Sequence, residues 1–163
     1  MKLSNRRWLA AAGIAGLGLL GLLLGLLYPR WADRSNPDAA TAVTLSGDPA
    51  CDAARQPCSA RQGDSSLTLR LTGPLRPLQP FPVEVRLTGP VAAARQIAVD
   101  FSMVGMDMGL NRFHLQRQPD GAWSGQALLP VCSAGRHDWL ATVRVSGAER
   151  YTAEFELQVG EDR

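Results

Sequence analysis

Three of the four methionines in this 163-residue chain fall close together, at Met103, Met106 and Met108. Thioether sulfur is a soft, uncharged ligand that selects Cu(I) over hard cations, and thiolate and imidazole extend the same preference. Met106 and Met108 are two apart, so in an extended segment they point to one side. Met103 has the opposite parity and continues the apolar face of Ile97, Val99 and Phe101, which assigns it to the core. A Cu(I) site on Met106 and Met108 needs a third ligand delivered by the fold. Cys132, His114 and His137 are the candidates, each near the end of an expected strand. His114 alternates with Phe113 and Leu115, which face the core, so its ring is expected at the surface.

Two readings without metal stand beside this one. A methionine-rich segment makes an adaptable docking surface for a protein partner. Met106, Asp107, Met108, Asn111 and Arg112 would then be the contact residues, with Asp107 and Arg112 as an ion pair holding the loop. Alternatively, Met106 and Met108 fill irregular gaps in the core, as methionine does well. Residues 101–113 also hold Gly105 and Gly109 after a strand-like run, which reads as a loop or bulge. The two histidines stand outside any GxSxG, HExxH or glycine-rich phosphate pattern, so an enzyme is not expected.

The elements that must position these residues are strands. Residues 66–72 and 82–88 alternate apolar and polar side chains, and Gly73-Pro74 and Gly89-Pro90 end them. Further strands are expected over 97–103, 112–117, 122–129, 139–145 and 151–159, with a short 43–45 at the margin of the domain. About seven strands without a helical pattern between them predict an all-β, immunoglobulin-like sandwich over residues 51–163.

Three cysteines in an oxidising compartment leave one unpaired, and Cys51–Cys58, Cys51–Cys132 and Cys58–Cys132 are all open. A short loop closed by Cys51–Cys58 fits the position of Cys58 beside the first long strand. It would leave the thiol of Cys132 free. The spacing of Cys51 and Cys58 matches neither a zinc knuckle nor a redox CxxC.

The N-terminus has another character. Residues 1–7 carry Lys2, Arg6 and Arg7, and residues 8–28 hold no charge. At ~1.5 Å per residue that run matches a hydrocarbon core of ~30 Å, and Trp8, Tyr28 and Trp31 flank it as interfacial aromatics do. A cleaved signal peptide fits less well, because the apolar run is long and residues 28–31 are bulky where small ones are needed. The expectation is one transmembrane helix at 8–28 in a bacterial inner membrane. The tail 1–7 would be cytoplasmic, 29–50 a linker, and the domain periplasmic by the positive-inside rule. Setting Lys2, Arg6, Arg7 and Arg30 aside from 17 basic and 15 acidic residues leaves 13 against 15, a net charge of −2. That balance argues against a nucleic-acid partner.

The segment Phe101…Met106-Asp107-Met108-Gly109-Leu110-Asn111-Arg112-Phe113, together with Gly121-Ala122-Trp123 and Leu129-Pro130-Val131-Cys132, resembles the FixH/YtkA-like group of small bacterial membrane proteins. The resemblance covers the apolar run and residues from about 66 to 159. It implies a role in assembling haem–copper respiratory oxidases, with copper as cargo and an oxidase subunit or its assembly factors as partners.

Overall fold

Alternation of apolar and polar residues drives this chain into strands, because a period of two puts every second side chain on one face. The structure, a computed structural model, describes residues 42–106, 109–131 and 135–160. Nine strands follow in order: β1 (Val43–Gly47), β2 (Cys58–Gln62), β3 (Ser65–Leu71), β4 (Phe81–Thr88), β5 (Gln96–Met103), β6 (Arg112–Arg117), β7 (Trp123–Ala127), β8 (Asp138–Ser146) and β9 (Arg150–Gln158). A 3₁₀ turn, Pro90–Ala93, leads from β4 towards β5.

The inward faces are those the alternation marks. Leu67 and Leu69 of β3, Val83 and Val85 of β4, and Ile97, Val99 and Phe101 of β5 are buried, as are Val143, Ala153, Phe155 and Leu157 of β8 and β9. They form one core, in which Phe81 meets Phe101 edge-on with ring centroids 5.5 Å apart. Such aromatic pairs add stabilisation of ~0.5–1.5 kcal/mol beyond area burial.

The strands hydrogen-bond in the order β1-β2-β3-β4-β7-β6-β5-β8-β9, and β9 pairs back onto β1, so the sheet closes into a barrel. The closing pair is parallel, with Val43 opposite Tyr151 and Leu45 opposite Ala153. This corrects the expected immunoglobulin-like sandwich of about seven strands. The physical reason lies in β1 and β2. Without them β3 and β9 would be open edges, and with them no edge is left. β1 falls within the segment 29–50 read as linker, and β2 carries only Cys58 and Ala60 as buried residues. Small side chains give alternation too little contrast to be seen.

The membrane-spanning helix expected at 8–28 falls outside the described residues. Among the described residues no helix is long and apolar enough to cross a membrane. The tail 1–7, the run 8–28 and the first part of 29–50 lie outside the described residues.

Antiparallel pairing sends successive connections to alternate ends of the barrel. Connections 48–57, 72–80, 104–111 and 128–137 share one end, here the loop end, with the last residues of β9. Connections 63–64, 89–95, 118–122 and 147–149 share the far end, where β1 begins. Cys51 and Cys58 form a disulfide at the loop end, across the β1–β2 connection.

Candidate functional site

Hydrogen bonds tie three connections together at the loop end. Pro77 bridges to Leu129, and the Leu78 N–H donates to the Leu129 carbonyl at 2.9 Å, joining 72–80 to 128–137. Arg136 Nη2 donates to the Val104 carbonyl at 2.9 Å, joining 128–137 to 104–111. The same guanidinium is gripped by Asp138, with Nε 2.9 Å from Oδ1 and Nη2 against Oδ2. Hydrogen bonding from Arg136 holds the Asp138 carboxyl below the usual carboxylate range. Leu78 sits at φ 59°, a left-handed conformation that costs a side-chain-bearing residue about 1 kcal/mol or more. Its side chain is exposed all the same.

The methionine segment starts where β5 ends. Met103 is 2% exposed, in the core. The chain then turns back, with the Met106 N–H donating to the Met103 carbonyl at 3.1 Å. Gly105 takes a φ of 70° in that turn, which glycine adopts at no steric cost. The reversal lifts Met106 to 36% exposure.

Asn111 brings the chain home. Its carbonyl accepts the Phe101 N–H at 3.1 Å and its Nδ2 donates to the Phe101 carbonyl at 3.4 Å. Arg112 grips Asp100 of the neighbouring strand with two hydrogen bonds, of 2.7 and 3.0 Å. Asn111 and Arg112, expected as partner contacts, thus anchor the base of the loop. Asp107 and Met108 lie outside the described residues.

The two histidines are in different situations. His114 stands on the outer wall of β6 opposite Ala98, where Gln96 Nε2 donates to its Nδ1 at 2.9 Å. His137 belongs to the β7–β8 connection at the loop end. Its Nδ1 donates to the Val159 carbonyl, which only accepts, at 2.7 Å. A ring oriented by a backbone carbonyl in this way is the usual preparation of a metal-binding histidine.

Among the described residues no group of three or more His, Cys, Asp and Glu is placed to hold a metal ion. Cys51 and Cys58 are bonded to each other, and Cys132 is the third cysteine of the sequence. It lies outside the described residues, on the connection that Arg136 ties to Val104. Arg136 and Leu78 were given no role by sequence reasoning. For Arg136 a signal was present, because Arg136 and Asp138 are two apart at the start of a strand and so share a face.

A cavity of about 350 Å³ lies at the far end, lined by Pro90, Val91, Val145 and Tyr151 among others. It is mostly apolar and well separated along the barrel from the methionine segment. Comparison with protein-family models, with curated proteins and with solved structures found no match.

Proposed function

We propose that the loop end binds Cu(I) as cargo and passes it to a protein partner in an oxidising compartment. Met106 and Met108 from the β5–β6 connection and Cys132 from the β7–β8 connection supply sulfur, and His137 supplies an imidazole nitrogen. The observation that carries this reading is the hydrogen bond from Arg136 to the Val104 carbonyl. Val104 is two residues before Met106 and Arg136 four residues after Cys132. At ~3.3–3.6 Å per residue, Met106 and Cys132 are each within a short reach of that bond. The Cys51–Cys58 disulfide supports an oxidising location such as the periplasm. The recipient that the resemblance implies is a respiratory oxidase subunit or one of its assembly factors.

A specific observation also favours docking without metal. Leu78, Val104, Met106, Leu110 and Val131 are five of the six large apolar side chains exposed among the described residues, and all five are on connections at the loop end. Exposed apolar clusters of this kind mark interaction sites.

Replacing both Met106 and Met108 by leucine separates the two, because it keeps apolar volume and removes sulfur. Metal analysis of the chain purified without chelator should find copper in the wild type and none in the double variant. A copper-free wild type whose partner capture survives in the double variant would replace cargo binding by docking alone.

A further inference from the structure

At the far end of the barrel two segments enclose a half-open cavity of about 350 Å³. Val91 and Ala94 line it from the β4–β5 connection, and Val145, Glu149 and Tyr151 line it from the β8–β9 hairpin. Backbone fastens the two segments to each other. The Arg95 N–H donates to the Ser146 carbonyl at 2.8 Å. At Gly147 the main chains come so close that an added Cβ would lie 2.9 Å from the Ala93 carbonyl oxygen. The Val91 N–H is held in turn by Oγ of the buried Ser65 at 3.3 Å. The hollow is therefore formed in advance, which spares a ligand the cost of ordering its walls. Its volume is that of a small-molecule site, ~300–1,000 Å³.

The polar side chains of the lining are a pair. The Tyr151 hydroxyl donates to Glu149 Oε2 at 2.5 Å. That bond raises the phenol above its ordinary value, so it keeps its proton and goes on donating. Glu149 is exposed, which puts its carboxylate at the mouth, and it is the one charged residue among those that line the cavity. Asp52, Glu84, Asp100, Asp120 and Asp138 are each paired with an arginine. Glu149 has no ion pair among the described residues, and a carboxylate with one bond made still has lone pairs to offer. It accepts only, so the group that meets it must donate, and its charge favours a cation over a neutral donor.

We propose that this cavity binds a small organic amine, whose apolar chain lies against Val91 and Val145 and whose ammonium group donates to the Glu149 carboxylate. The site is independent of the loop end and of Cu(I).

The test uses the full chain and three probes with the same apolar tail: hexylammonium, hexan-1-ol and hexanoate. Hexylammonium is protonated at neutral pH, as a lysine side chain is. Amide signals of Val91, Ala94 and Gly147 are followed by NMR as each probe is added. They should shift saturably with hexylammonium, about fivefold more weakly with hexan-1-ol, the scale of an exposed charge pair, and least with hexanoate. In Glu149→Gln the hexylammonium affinity should fall about fivefold, to that of hexan-1-ol, while hexan-1-ol binds as it does to the wild type. Hexanoate bound by the wild type as well as hexylammonium would overturn the proposal without any substitution. Unchanged hexylammonium affinity in Glu149→Gln would overturn it too, as would shifts that miss Val91, Ala94 and Gly147 or saturable binding of none of the probes.

Discussion

The charged residue with the most at stake in this barrel is Asp100. Burial would raise its pKa, yet hydrogen bonds from Arg112 and Arg144 outweigh that and hold the carboxyl below the usual carboxylate range. A depressed folded-state pKa stabilises the fold above the unfolded value, near 4, and that contribution is lost as pH falls through the folded value. Asp100→Asn should therefore cost ~1–2 kcal/mol at neutral pH, a charge-assisted bond discounted for partial exposure. Denaturant titrations at pH 7 and pH 3 should show the difference from wild type shrinking in acid. Parity along the strands was enough to put Met103 inside and His114 outside. It says nothing about what the two rings bond to, and that rests on Gln96 of β5 and on Val159 just past β9. The grip of Arg112 on Asp100 was equally hidden, because it depends on the β5–β6 register.

At the scale of elements, the strands visible in the sequence are those with large side chains on the buried face. β3 reads as Leu67, Leu69 and Leu71 in strict alternation, and it forms as read. β1 was legible only as a short run at 43–45 and β2 not at all, because Leu45, Cys58 and Ala60 are their only buried residues and leave little contrast between faces. Their strand character comes from pairing with β9 and β3, which is tertiary information. Leu45→Ala should cost ~2–5 kcal/mol, since it empties the buried face of the strand that closes the barrel. Gly89 is a second sensitive point. At φ 75°, its added Cβ would lie 2.0 Å from the Asp64 carbonyl oxygen. Gly89→Ala should destabilise by more than ~2 kcal/mol, because the obstacle is backbone and the conformation is left-handed. Thermal unfolding of the two variants checks both.

Across the whole molecule, the barrel keeps its two ends apart. The far end gathers short hairpins and the apolar cavity, and the loop end gathers the disulfide, the methionine segment and the Arg136 bridge. Closure is what a reading by strands misses, since seven alternating runs suit a sandwich as well as a barrel. The Cys51–Cys58 disulfide closes a short loop, so replacing both cysteines by serine should cost ~2–3 kcal/mol by denaturant unfolding. It should leave Cu(I) affinity unchanged, because neither sulfur belongs to the proposed ligand set. The central claim is that thioether sulfur at the loop end holds Cu(I). Its most direct test is a competition titration of the full chain against a Cu(I) chelator. Copper is kept reduced by ascorbate, with Cys51–Cys58 left closed and Met106→Leu/Met108→Leu titrated in parallel. The account predicts one tightly held Cu(I) per chain in the wild type and a loss of at least about tenfold, ~1.4 kcal/mol, in the double variant. Equal binding by both forms, or binding by neither, would contradict it.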